Sequence, residues 1–170
     1  EFKTVVQAEQ LNNPDARVII EQVDQGSLLE RYAYCYKGIT TGDDPRYRRM
    51  FWEFRDTDKG WRFLQSTAHE SKYFGGCESV IWLRAMQNPP QPGVYIRARQ
   101  TWGKMGVAVA QMRQLPVALS LGEPFDTNTA VILPYNPAHL PAIWCFCSSP
   151  KYNEAVRKID QKLNVTNATL

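Results

Sequence analysis

Apolar residues in this chain come in short runs that turn-forming residues break repeatedly. The longest, Leu140 to Phe146, contains Pro141 and is far shorter than the roughly 20 apolar residues of a membrane span. Runs of this length suit the strands of a small sheet better than long helices. Phe51 to Phe54, Trp61 to Leu64, Val94 to Arg99, Val107 to Ala110, Val117 to Leu121 and Ala130 to Leu133 read as strands. Val80, Trp82 and Leu83 form another apolar patch. Helical spacing is clear only after Ser148-Ser149-Pro150, an N-cap with a first-turn proline. There Tyr152, Ala155, Val156, Ile159 and Leu163 recur on one face, which predicts a C-terminal helix over 150–164. The expected class is α+β: a mixed or antiparallel sheet of short strands with a few helices.

The other segments are less regular. Residues 1–13 suit a helix or an extended lead-in, and Asn12-Asn13-Pro14-Asp15 is a turn signal. Arg17 to Val23 reads as a strand or short helix. Leu28 to Tyr36 is apolar and aromatic up to the break at Lys37-Gly38. Asp44-Pro45 can cap a short helix through Arg46 to Met50. Asp56 to Gly60 is a hairpin-type turn, and Asn88 to Gly93 is a proline-rich loop.

The 170 residues fit a single domain, with an acidic lead-in over 1–30 and a mainly β, basic body over 31–150. Apolar residues at 44% and charged residues at 22% exclude disorder and collagen-like repeats. The chain starts at Glu1 and stops at Leu170 directly after the helical pattern, so it reads as a domain cut from a larger protein. It carries neither a basic-then-apolar signal nor a lipidation motif. Cys35 lies among tyrosines, and Cys145 and Cys147 flank Phe146, settings that suit buried free thiols. Cys77 completes the set, no C-x-x-C occurs, and His69 and His139 are far apart, so zinc is not expected. A reducing cytosol follows from that thiol usage.

Charge is unevenly distributed. Residues 1–30 carry two bases against six acids, whereas residues 31–122 carry fourteen bases against seven acids. From Ser79 to Gly122 there is no acid, while Arg84, Arg97, Arg99, Lys104 and Arg113 all occur. Such a stretch leaves its cations without local partners, the electrostatic footprint of a polyanion binder. The alternative is pairing with acids of the N-terminal segment.

Catalytic patterns are weak. Asn88-Pro89-Pro90-Gln91 is close to the Asn-Pro-Pro-aromatic tetrapeptide of amino-group methyltransferases, but glutamine cannot stack on a flipped base, so it reads as a proline turn. No Gly-x-Ser-x-Gly, carboxylate-relayed histidine or Walker-type phosphate loop is present. Asp43, Asp44, Glu53 and Asp58 with Lys59 could form a metal-dependent nuclease site, yet Asp43-Asp44 before proline is usual turn chemistry. No catalytic or metal-ligating residue is therefore assigned.

Two segments suit binding. In Lys37-Gly38-Ile39-Thr40-Thr41-Gly42-Asp43-Asp44-Pro45-Arg46-Tyr47-Arg48-Arg49, glycines permit close backbone approach. Lys37, Thr41, Arg46, Arg48 and Arg49 are its candidate phosphate contacts. In Arg97-Ala98-Arg99-Gln100-Thr101-Trp102-Gly103-Lys104, Arg97 and Arg99 share a face if the segment is a strand. Arg97, Arg99, Gln100 and Lys104 are candidates for base or phosphate contacts, because Arg and Gln match guanine and adenine edges. Trp102 can stack or wedge, or be an ordinary core residue.

The same residues carry a resemblance. Lys37 to Tyr47 resembles the G-(I/L)-x-T-G-(D/x)-N-x-R-(F/Y) segment of large adenine-specific DNA methyltransferases. These are the single-chain restriction–methylation enzymes of types IIG and IIL and the methylases of BREX phage-defence systems. In them the segment opens the target recognition domain. Phe51-Trp52-Glu53-Phe54 resembles the aromatic strand that follows, Gln100 to Lys104 the later Thr-Trp segment, and Tyr152 to Leu170 the closing helix and tail. The likeness runs in order over about residues 36–170. It departs at Asp44-Pro45, where Asn is often found, and at Gly103-Lys104, where Ser is common.

The resemblance implies a recognition domain that does no chemistry itself. Its implied partners are double-stranded DNA and the catalytic methyltransferase domain of a parent chain, without a membrane. The implied cofactor, S-adenosylmethionine, belongs to that parent and not to this fragment. A non-catalytic protein-interaction or structural module, with aromatics at the interface, is the alternative.

Overall fold

The computed structural model describes residues 4–13, 16, 18–19, 28–54, 60–87 and 91–170. Of the expected Arg17 to Val23 element only Val18 and Ile19 are described. Pro14, Asp15, Asp56 to Lys59 and Asn88 to Pro90 lie outside the described residues, and with them most of three expected turns.

The fold is α+β, with two antiparallel sheets. The larger has strand order β1-β7-β5-β6, from Ala33–Lys37 (β1), Thr129–Pro134 (β7), Gly106–Ala110 (β5) and Val117–Ser120 (β6). Every residue of β5 is buried, because both faces of this sheet are covered. Val107 and Val109 pack with Ile132, Ile143, Tyr152 and Val156 in one core cluster, and Ala108 packs with Val131, Phe125 and Ala98 in another. The first face is closed by helices α4 (Leu140–Cys147) and α5 (Pro150–Ile159).

The smaller sheet has order β2-β4-β3, from Arg48–Met50 (β2), Ser79–Ile81 (β4) and Arg62–Leu64 (β3). Its core joins Leu64 and Ile81 to Ile39, to Tyr47 of α2 (Asp44–Tyr47) and to Leu83 and Met86 of α3 (Leu83–Gln87). A one-turn helix, α1 (Gln7–Gln10), precedes all of these.

The segment Pro124–Asp126 joins the two sheets. The Ile39 amide donates to the Phe125 carbonyl at 2.7 Å, and the Gln65 amide to the Pro124 carbonyl at 2.8 Å. Ile39 and Gln65 thereby form parallel bridges to Asp126 and Phe125. Gly38 is needed at this crossing: a Cβ there would lie 2.0 Å from the Asp126 carbonyl oxygen.

Four local expectations are corrected. Phe51–Glu53 is a 3-10 turn, not a strand, because the Glu53 carboxylate accepts the Met50 amide at 2.7 Å and curls the chain. The helix expected through Met50 ends at Tyr47, where Arg48–Met50 pairs with β4 instead. Val94 to Arg99 is not a strand: only Tyr95 bridges, Ala98 turns left-handed at φ 55°, and Arg99–Thr101 is a 3-10 turn. The C-terminal helix stops at Ile159 rather than 164. The fully buried Asp160 carboxylate accepts the amides of Lys162 at 3.0 Å and Thr166 at 3.2 Å, which turns the chain and leaves Leu163 exposed. Leu140–Cys147, for which the sequence predicts no particular element, is a helix. Asn136 caps the preceding turn by accepting the Ala138 amide at 3.0 Å, ahead of Pro137.

The thiols divide in two. Cys147 is buried in the main core and Cys35 packs against it, whereas Cys77 and Cys145 are exposed, the latter against expectation. Burial pushes the Cys147 thiol up to about 12, and burial followed by the neighbouring Cys147 raises Cys35 well above its usual range. The thiolate is the nucleophile, so raised values suppress reaction at neutral pH. A maleimide or disulfide reagent at pH 7.5 is expected to label Cys145 and, more slowly, Cys77. Labelling of Cys35 and Cys147 is expected only in denaturant. Four equally fast thiols in the native protein, counted by mass spectrometry, would contradict this packing.

Candidate nucleic-acid interface

The first basic segment pairs through its backbone with Tyr95, two residues ahead of the second. Thr40 and Tyr95 exchange both amide-to-carbonyl hydrogen bonds, at 3.0 and 2.8 Å. The Arg97 guanidinium donates to Thr40 Oγ1 at 2.9 Å and lies 4.8 Å from the Tyr95 ring centre. Beside this junction Gly42, at φ +69°, faces Gly93, so that a Cβ on Gly42 would lie 3.0 Å from the Gly93 carbonyl.

A cleft of about 290 Å3 opens at the junction. Ile39, Leu64 and Ile81 line its apolar part, and Thr41, Asp44, Arg48 and Asp126 its polar part. Arg48 is committed inward. Its Nε donates to Ser79 Oγ at 3.0 Å, one terminal nitrogen donates to Ser66 Oγ at 2.6 Å, and the other pairs with Asp126 at 3.4 Å. Asp44 lies 3.9 Å from the same guanidinium. The Thr41 hydroxyl donates to the Asp44 carboxylate. Arg48 and Thr41 are therefore held by internal partners instead of being offered to phosphate. Two carboxylates against one guanidinium also make the cleft itself unattractive to an anion.

The remaining cations sit outside the cleft. Lys37, at the end of β1, is exposed and has no charged partner among the described residues. Arg46 is exposed on α2 with its guanidinium 5.1 Å from the Tyr47 ring centre. Arg49 is half-buried and donates to the carbonyls of Pro45 and Arg48. Arg99 is exposed, 5.6 Å from the Trp102 ring centre, and Gln100 and Lys104 are exposed beside it.

Trp102 is half-buried against the same core cluster that contains Tyr47, and its Nε1 is enclosed without a hydrogen-bond partner among the described residues. It packs as a core residue. The Arg46 and Arg99 guanidinia thus lie over two rings of one cluster, although α2 and the Arg99–Thr101 turn are far apart in sequence.

The nuclease candidates are engaged locally: Asp43 caps α2 through the Arg46 amide, Asp44 holds Thr41, and Glu53 closes its own turn. Asp58 and Lys59 lie outside the described residues. No helix among the described residues is long and apolar enough to cross a membrane. Sequence reasoning missed Asp126 and Ser66. Neither sits in a recognisable motif, and both matter only because the fold brings them to Arg48.

No protein-family model and no curated protein matches this chain.

Proposed function

We propose that this chain is the target recognition domain of an adenine-N6 DNA methyltransferase of a restriction–modification or phage-defence system. On this reading it docks in the DNA major groove of the cytosolic genome and does no chemistry. The parent's catalytic domain binds S-adenosylmethionine and flips the adenine. The observation that carries the reading is the junction at Thr40 and Tyr95. It sets Arg97 against the glycine-threonine segment, while Lys37, Arg46, Arg99 and Lys104 have no acidic partner among the described residues.

The test is binding of the chain to a fluorescent duplex from about 20 to about 200 mM salt, where affinity should fall by roughly one power of salt per phosphate contacted. Arg46→Ala should weaken binding to all duplexes alike and flatten that slope by about one. Arg97→Ala should relax selection at one base pair by about 1–3 kcal/mol. Absence of binding at the lowest salt, both alone and joined to the catalytic domain, would refute the proposal.

A protein-interaction module is the second reading. It draws on Phe51 and Trp52, which are 47% and 61% exposed and packed edge-to-face on a turn flanked by Glu53 and Glu78. Intact DNA binding by a Trp52→Ala variant would separate that surface from the DNA-binding one.

A further inference from the structure

Among the described residues three arginines lie over aromatic rings: Arg46 over Tyr47, Arg97 over Tyr95 and Arg99 over Trp102. All three belong to the two basic segments. The last two placements follow from the local backbone. Tyr95 and Arg97 are two positions apart at the bridge to Thr40, where alternate residues share a side. Arg99 and Trp102 are three apart across a 3-10 turn, whose three residues per turn bring positions i and i+3 into line.

A ring attracts a guanidinium by its face, whereas a carboxylate or hydroxyl takes the N–H donors in its plane. Arg48 shows the second case, with its Nε and both terminal nitrogens spent on Ser79, Ser66 and Asp126. Arg97 shows a mixture. One terminal nitrogen donates to Thr40 Oγ1 at 2.9 Å, while Nε and the other terminal nitrogen have no partner among the described residues. Those two donors lie side by side and form the fork that fits a guanine edge or a phosphate. The Arg99 guanidinium meets the Trp102 ring and no hydrogen-bond acceptor among the described residues.

We propose that Tyr95 and Trp102 are positioning residues of the DNA contact, holding the Arg97 and Arg99 guanidinia by their faces so that the in-plane donors stay free for DNA. The inference rests on the DNA-recognition reading above and adds to it which residues aim the donors. A free arginine side chain loses rotamer freedom when it binds, and one already held on a ring loses less. Arg97 is fixed by face and by edge, through Tyr95 and Thr40, which suits it to a single base edge. Arg99 is fixed by its face alone, which suits it to phosphate.

Affinity for the fluorescent duplex, measured per folded molecule in double-mutant cycles, tests this. Tyr95 is 55% exposed, so Tyr95→Leu removes the ring without opening the core. It should weaken binding about two- to fivefold, the range of an exposed cation–ring contact. Tyr95→Phe should recover most of that loss, because the ring face and not the hydroxyl carries the effect. In an Arg97→Ala background Tyr95→Leu should weaken binding no further. Trp102→Leu should behave in the same way toward Arg99→Ala. In the free chain, Tyr95→Leu should move the Arg97 δ-methylene proton resonance downfield, since protons above a ring are shifted upfield by its current. Additive losses in either cycle, or an Arg97 resonance indifferent to Tyr95, would overturn the proposal while leaving the DNA reading intact. Failure of the unaltered chain to bind duplex, alone and joined to the catalytic domain, would overturn both.

Discussion

Gly38→Ala is expected to destabilise the protein by about 3 kcal/mol or more, enough to unfold much of it at ambient temperature. The added Cβ would sit 2.0 Å from the Asp126 carbonyl oxygen, 2.5 Å from the Asp126 carbonyl carbon and 2.5 Å from the Phe125 carbonyl oxygen. All three are backbone atoms, so no side-chain rotation relieves the overlap. Either the β1–Thr40 connection or the Pro124–Asp126 segment must move, and each is held by short amide hydrogen bonds. Gly103→Ala is the control, because a Cβ there meets nothing within 4 Å and only the positive φ of +74° opposes it. Its expected loss is about 1 kcal/mol. Urea unfolding of the two variants compares these values, and a Gly38→Ala midpoint within about 0.5 kcal/mol of the parent would show that the crossing is not tight.

Arg48→Met should cost about 2–3 kcal/mol. The change removes donors to Ser66, Ser79 and Asp126 together and leaves the Asp126 carboxylate, 12% exposed, without its cation. Arg48→Lys should recover less than half of that loss, because one ammonium cannot reproduce a fork that contacts three partners at once. The combination Arg48→Met with Asp126→Asn should lose less than the sum of the two singles, since the stranded charge is gone. Strict additivity in that cycle would show that the ion pair contributes no coupling. DNA affinity per folded molecule should change little, because Arg48 faces inward. The Arg46→Ala variant should show the opposite pattern, with intact stability and reduced affinity.

The fold class and the strands with unbroken apolar runs are legible from local patterning. Val107 to Ala110, Val117 to Leu121 and Ala130 to Leu133 correspond to β5, β6 and β7, because a strand buried on both faces needs a continuous apolar run. The start of α5 was equally legible in Ser149-Pro150, since cap and first-turn chemistry is local. Where a side chain competes with propensity, the sequence misled. Glu53 curls an aromatic run into a turn, the left-handed Ala98 breaks the strand that would have aligned Arg97 with Arg99, and Asp160 stops a helix whose periodicity continues to Leu163. Which cations turn inward depends on long-range packing. Arg46, Arg48 and Arg49 read alike as a basic cluster, yet Arg48 alone meets Asp126, a residue 78 positions away. Charge composition is additive along a chain, but the partner of a charge depends on which distant segments packing brings together.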